Sequence, residues 1–253
     1  MDERTQIGAQ RQRVPVAVAS GVGVVVVRVG GDRVGEFTLD HRCEARDVAV
    51  ADGRLAVATP EDVLLGGDAT PSDFGPAAVV GADGATVVAV DPDGRVARHD
   101  GAWETCVRVS SAVHAADGGW LATADGVRRI EDGADLGLGA VQDVAAPGWA
   151  ATDDGLYRRT ESGWERERRG AFVAVTVADG DVFAATTDAV VTRIDGAWAE
   201  RESPVGEPVV DVCAGEGVYA VTERGTFLVD AGDGWRSRAL GVPDVARMAP
   251  LGP

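Results

Sequence analysis

The chain has 253 residues, 41 acidic against 24 basic side chains, a formal net charge of −17 and a pI near 4.5. A field of that sign disfavours nucleic-acid binding, and the absence of any run of 18 apolar residues excludes a membrane-spanning helix. Every basic side chain is arginine, since the sequence contains neither lysine nor asparagine.

The organisation is that of a repeat. Ser20, Thr59, Asp91, Thr123, Thr152, Thr186 and Thr222 each stand three residues before Gly23, Asp62, Gly94, Gly126, Gly155, Ala189 and Gly225. The steps between them run from 29 to 39 residues, an internal period that decides the fold class before any single element does.

In chain order, the first unit opens at Val16–Ala19 and continues through 24–29 and 37–39. The second has short strands about Asp52-Gly53, but its segment 66–76 holds two prolines, so its outer strand is expected to be absent. Units three and four turn at Asp83-Gly84 and Asp117-Gly118, and the fourth lacks a plausible outer strand. The fifth shows the pattern most fully: 142–146, a Pro147-Gly148 turn, 149–151, the Thr152–Gly155 turn, 156–159 and 164–169. Units six and seven follow at Asp179-Gly180 and Glu216-Gly217. Strands of four to six residues between glycine turns are hairpin signals, and no segment sustains a helical period.

The expected fold is therefore all-β: a β-propeller of seven short four-stranded blades, with six as the alternative. Its first blade lacks an inner strand, and 244–249 matches 47–51 and 211–214, so a closure blade built from both chain termini is expected. Domain bounds follow as a polar arm over 1–13, one propeller domain over 14–250 and a tail over 251–253. The polar start carries no apolar signal core, which places the protein in the cytoplasm as an expected monomer.

The unit clearest at 143–158, Asp-Val-Ala followed by Gly, apolar-Ala-x-Thr-x-Asp-Gly-Leu-Tyr-Arg, resembles the repeats of two-component-regulator-type propellers. With its acid-rich composition of alanine, glycine, valine, aspartate and arginine, residues 14 to 250 resemble a β-propeller group of haloarchaea that has no assigned reaction. The resemblance implies a propeller that senses or presents a binding surface. It also implies a salt-loaded host cytoplasm, where a Debye length of about 3 Å at molar salt screens self-repulsion.

Aligning the innermost strands puts Asp47, Asp143, Asp211 and Asp244 at one position, with Ala78, Ala112 and Ala174 in the other units. Such carboxylates at a channel mouth could hold Ca²⁺ or Mg²⁺ or raise one another's pKa. The plainer reading is that each accepts backbone N–H bonds in its own blade. His114, two residues beyond Ala112, approaches the same mouth; His41 and His99 share no ligand spacing with it. Cys43, Cys106 and Cys213 show no CxxC spacing and are read as buried thiols. Trp103, Trp164, Trp198 and Trp235 recur at the start of outer strands, where inter-blade packing outweighs carbohydrate stacking.

The functional expectation is a noncatalytic scaffold binding a protein partner, with no nucleic acid, no membrane and no required cofactor. The alternative is a small-molecule or divalent-metal-dependent hydrolase or lyase at the channel mouth.

Overall fold

The computed structural model describes residues 13–252, and every regular element among them is a β-strand. The polar arm thus lies, apart from Arg13, outside the described residues, as does Pro253 of the tail. No helix among the described residues is long and apolar enough to cross a membrane.

The first sheet contains β1 (Val14–Ser20), β2 (Gly23–Gly30) and β3 (Arg33–His41). Its alternating valines and alanines bury both faces of β1, because this strand lies between two neighbouring blades. The second holds β4 (Asp47–Ala51), β5 (Arg54–Ala58), β6 (Val63–Leu65) and β7 (Thr70–Pro71). The outer strand expected to be missing is thus present as a pair of residues, Pro71 being tolerated because it lies on the edge. Next come β8 (Val79–Asp83), β9 (Thr86–Val90), β10 (Arg95–His99) and β11 (Trp103–Arg108), then β12 (Val113–Asp117), β13 (Trp120–Thr123) and β14 (Gly126–Arg129).

The next group is β15 (Val141–Ala145), β16 (Trp149–Thr152), β17 (Gly155–Thr160) and β18 (Gly163–Arg169). It is followed by β19 (Ala174–Ala178), β20 (Asp181–Ala185), β21 (Ala189–Ile194) and β22 (Ala197–Glu202). The last complete group is β23 (Val209–Ala214), β24 (Val218–Thr222), β25 (Thr226–Asp230) and β26 (Arg236–Ala239). Finally β27 (Arg247–Pro250) returns to the start and pairs antiparallel with β1, Arg247 opposite Ala19 and Met248 opposite Val18.

The expectation of seven four-stranded blades, or of six, is corrected. Five four-stranded blades stand as sheets of their own, and β8 to β14 form one seven-stranded sheet in the order β11-β10-β9-β8-β12-β13-β14. Two local causes act together. Gly81 has no side chain, and a Cβ there would collide with the Ala116 carbonyl, so β12 comes close enough to β8 for a parallel bridge between Asp117 and Ala82. The Gly118 N–H then donates to the Ala82 carbonyl at 2.8 Å. Beyond β14 the chain forms a loop, held by Leu136 N–H to Val127 O at 2.8 Å and one isolated bridge from Arg128 to Asp135, in place of a fourth strand.

The recurrent hydroxyl closes a turn. Ser20 and Thr123 donate to the carbonyls of Gly23 and Gly126 at 2.7 Å, and Thr152 to that of Gly155 at 2.9 Å, all three hydroxyl residues being buried. The Asp52-Gly53 and Asp179-Gly180 hairpins have positive φ at both residues, the I′ geometry that matches strand twist.

Around the axis the innermost strands follow one another as β4, β8, β12, β15, β19, β23 and β27, and β27 contacts β4 again. Between blades the core is valine and alanine with a few large anchors. Tyr219, Phe227 and Met248, for instance, pack with Val16, Val18 and Val25. Each valine so buried stabilises by about 1.5–3 kcal/mol relative to exposure.

Candidate functional site

Register decides which side chains meet in the channel. Asp47 pairs with Ala58, Asp143 with Ala151 and Asp211 with Val221, in each case the residue just before the turn hydroxyl of Thr59, Thr152 or Thr222. In the sheet completed by β27 the residue before Ser20 is Ala19, and its partner is Arg247. Arginine therefore occupies the position that aspartate fills in three other blades. The remaining equivalents are Val79, one residue beyond Ala78; Ala115, three beyond Ala112; and Ala174 itself. In β15 and β23 a bulge stands just before the aspartate, whereas β4 carries Asp47 in unbroken register.

Each of the three aspartates is held the same way. One oxygen accepts the N–H of the following residue: Val48 on Asp47 at 2.8 Å, Val144 on Asp143 at 3.0 Å, Val212 on Asp211 at 2.9 Å. The other accepts an N–H from the next blade: Val80 at 3.0 Å, Val175 at 2.9 Å and Met248 at 2.7 Å. These carboxylates are clasps across the joints β4–β8, β15–β19 and β23–β27. Asp117 makes a related link, accepting the N–H of Ala146 at 2.8 Å.

Arg247 stands among them. Its Nη1 lies 3.1 Å from Asp143 Oδ2 and 3.7 Å from Asp211 Oδ1, and its Nη2 donates to the His114 carbonyl at 3.3 Å. Asp143 sits on β15, across the ring from β27, so the arginine side chain bridges the channel. The channel holds a cavity of about 500 Å³ lined by Asp47, Asp117, Asp143, Asp211 and Arg247.

Burial sets the titration of this cluster. It pushes Asp47 up to about 7 despite Arg247 and the two N–H donors, and Asp211 up to about 6. Asp143 is raised by the same cause, and Asp117 reaches about 6 by burial with Asp143 and Asp83 nearby. Burial disfavours the charge of Arg247, but Asp143, Asp211 and Asp47 more than offset it and hold the guanidinium protonated.

The structure thus brings together Asp47, Asp143 and Asp211, with His114 at their edge, its Nδ1 hydrogen-bonded to the Val141 carbonyl at 2.8 Å. Asp244 is not with them. It lies exposed with φ 52° in the loop before β27, against Gly21, and lines a separate surface hollow with Glu223 and Arg224. The residues that the sequence reading missed are Asp117, taken there only as a hairpin residue, and Arg247, whose signal was the position relative to Ser20, obscured by the shared Asp-Val spelling at 244–245. Among the described residues no group of three or more His, Cys, Asp or Glu is arranged to hold a metal ion. The positive charge between the aspartates is the guanidinium of Arg247. Cys43, Cys106 and Cys213 are free thiols, of which Cys213 is buried.

The tryptophans pack across joints. Trp103 Nε1 donates to the Ser72 carbonyl at 3.1 Å and Trp164 Nε1 to the Leu136 carbonyl at 2.8 Å, each acceptor belonging to the preceding unit. Trp120–Trp164 and Trp149–Trp198 meet edge to face at 5.5 and 6.1 Å.

Strands arranged about a cavity-bearing channel, with the last strand completing the first sheet, define a β-propeller. Residues 1–250 match the family described as Beta-prop_HVO_0234-like, beta propeller, and the chain belongs to that family. No curated protein matches it in sequence. Among solved structures it is similar to the computationally designed Ika8 protein, with TM-score 0.59, 15% identity, and 93% of this chain and 90% of that one covered. It is also similar to the extracellular domain of the putative hybrid two-component system BT4673 from B. thetaiotaomicron, with TM-score 0.62, 12% identity and 85% of this chain covered, which spans 38% of that one. A third likeness is to BBS1N, solved in complex with ARL6DN, with TM-score 0.60, 13% identity, and 83% and 84% of the two chains covered. At these identities the likeness is one of fold.

Proposed function

We propose that this chain is a noncatalytic β-propeller scaffold whose loop face or sidewall holds a protein partner. The observation that carries the reading is the use made of the channel aspartates. Both oxygens of Asp47, Asp143 and Asp211 hold main-chain N–H groups on two adjacent inner strands, so these side chains fasten the ring. A ring so fastened presents its flanks with little ordering cost on association. The complex of BBS1N with ARL6DN gives one instance of a similar fold engaged by a partner. The repeat pattern like that of two-component regulators, a feature of the same proposal, is supported by the likeness to BT4673. A salt-loaded cytoplasmic setting is supported by the charge of −17 and the haloarchaeal family name. Affinity capture of the tagged full chain from host extract in molar KCl, followed by reciprocal capture, tests the proposal. One partner recovered in both directions is expected, and repeated recovery of the protein alone would overturn it.

Raised carboxylates beside a cavity of about 500 Å³ favour one second reading, a small-molecule or metal-dependent hydrolase or lyase in the channel. Calorimetric titration of the native chain and of Asp47→Ala with Ca²⁺ and with Mg²⁺ in molar KCl separates the two. Equal, negligible heats would remove the metal-dependent form of that reading.

A further inference from the structure

Outer-strand arginines in two successive blades are matched by acids. On β18 Arg166 pairs with Asp154 and Arg168 with Glu200, and on β22 Arg201 pairs with Asp230. The outer strand of the next blade, β26, departs from this pattern. Its residues Arg236, Ser237, Arg238 and Ala239 are all exposed and include no acid. Among the described residues no Asp or Glu pairs with Arg236 or Arg238. In a chain with 41 acidic and 24 basic side chains, two adjacent arginines without a counter-charge mark a place where the surface field changes sign.

Both arginines lie beside β3, at the joint where the last complete blade meets the first. Between the two strands is a hollow of about 340 Å³ lined by Asp32, Arg33, Val34, Arg236, Ser237 and Arg238. Three guanidinium-bearing side chains thus share it with one carboxylate. Arg33 holds that carboxylate loosely, its Nε 4.0 Å from Asp32 Oδ1 and its side chain 88% exposed. The channel cavity and the hollow beside Asp244 have the opposite balance, with more acids than arginines. Arg238 is fixed in place, since its Nη1 donates to the Val34 and Gly35 carbonyls and its guanidinium carbon stands 4.9 Å from the centre of the Phe37 ring. Arg236 turns its Nη1 toward the carbonyls of Gly234 and Trp235 at 3.5 and 3.4 Å. The Nε and Nη2 groups of these two exposed side chains bond to no protein group among the described residues, so a ligand can reach them from solvent.

We infer that this hollow binds an acidic segment of a partner protein, whose Asp or Glu side chains take the open N–H groups of Arg33, Arg236 and Arg238 across the joint between β3 and β26. The inference rests on the scaffold reading and deepens it by naming the surface and the chemistry of what it holds. A guanidinium presents a planar fork that a carboxylate matches with two parallel bonds. Arg238 is already ordered, which lowers the cost of association. A nucleic acid fits less well, because a long polyanion meets the net charge of −17 around the hollow and none of the lining residues is an aromatic on which a base could stack.

The test uses phage-displayed random dodecapeptides selected on the folded full chain in molar KCl. Selected sequences should share closely spaced Asp or Glu residues. A synthetic peptide of that sequence should bind Arg33→Glu and Arg236→Glu each about tenfold more weakly, a factor equal to about 1.4 kcal/mol. Both side chains are exposed, so their reversal leaves the core intact. Arg169→Glu, an equal change of charge at an exposed position of β18 outside the hollow, should bind the peptide as the native chain does. Equal affinity for the native chain and both hollow variants would overturn the hollow, as would an equal loss in Arg169→Glu, or selection of basic peptides or of none. An oligothymidylate that binds with the same dependence on Arg33 and Arg236 would overturn the peptide as its occupant. A partner captured from host extract with equal yield by native and Arg236→Glu protein would overturn the hollow while leaving the scaffold reading standing. No partner in that capture would remove the scaffold reading itself.

Discussion

Replacing Arg247 by methionine should destabilise the propeller by an amount that depends on pH. The substitution nearly conserves volume and leaves an apolar side chain in the channel, so what changes is charge. In the native protein Arg247 faces Asp143, Asp211 and Asp47, all of them buried. At pH 8 the loss of that cation leaves buried carboxylates without a counter-charge, a situation that costs about 3–5 kcal/mol. At pH 5 it matters less, because Asp47, pushed up to about 7, and Asp211, at about 6, already carry protons. The remaining loss there is that of the hydrogen bonds from the guanidinium to Asp143 and His114, about 1.5–3 kcal/mol.

The direction in the native protein follows from the same values. Both carboxylates have folded-state pKa values above the unfolded 3.8, so the folded state holds their protons longer. Their contribution to stability is greatest below about pH 4 and declines as pH rises through about 6 to 7. Without Arg247 the folded values move higher still, and the decline continues to higher pH. Urea unfolding of both proteins at pH 5 and pH 8, in one fixed molar KCl concentration, measures the difference. Losses that agree at the two pH values to within about 0.5 kcal/mol would refute a charge-balancing role for Arg247, since extrapolation error is of that order.

Thr152→Val should cost about 1–2 kcal/mol in the same assay. The hydroxyl both donates to the Gly155 carbonyl and accepts its N–H, and a neutral result would show that the repeated turn residue does not hold the turn. Gly81→Ala should cost about 1–3 kcal/mol by forcing β8 away from the Ala116 carbonyl, and amide exchange of Gly118 should accelerate; unchanged exchange would rule out the parallel bridge as the cause of sheet fusion. Dilution from molar KCl to low ionic strength should lower the melting temperature, because the charge of −17 is then unscreened, and an unchanged value would contradict the reading of the acidity as adaptation to salt.

The all-β propeller was legible because its punctuation is local. A turn hydroxyl and a glycine three residues on are chemistry that a short window contains, and the structure shows those atoms bonded. Asp47, Asp143 and Asp211 were legible as equivalents because they share that frame. The separation into blades was not, since the fusion of β8–β11 with β12–β14 depends on how closely Gly81 lets two backbones approach, a contact between residues distant in sequence. Arg247 was hidden by a similar cause. Its register is fixed by pairing with Ala19 at the opposite end of the chain, whereas Asp244 imitates the motif in sequence and falls in a loop.

The pairing of β27 with β1 also sets a timetable. While the chain is being made, β1 emerges first and its closing neighbour last, so an apolar strand with an open ladder must wait through the synthesis of every other blade. The ring therefore behaves as a latch that only the final strand can shut. A circular permutant that joins residue 252 to residue 14 by a short linker and opens the chain at an exposed turn would place the latch strands side by side. It should reach the closed ring sooner, which makes order of synthesis, and not just sequence, a determinant of how safely this propeller assembles.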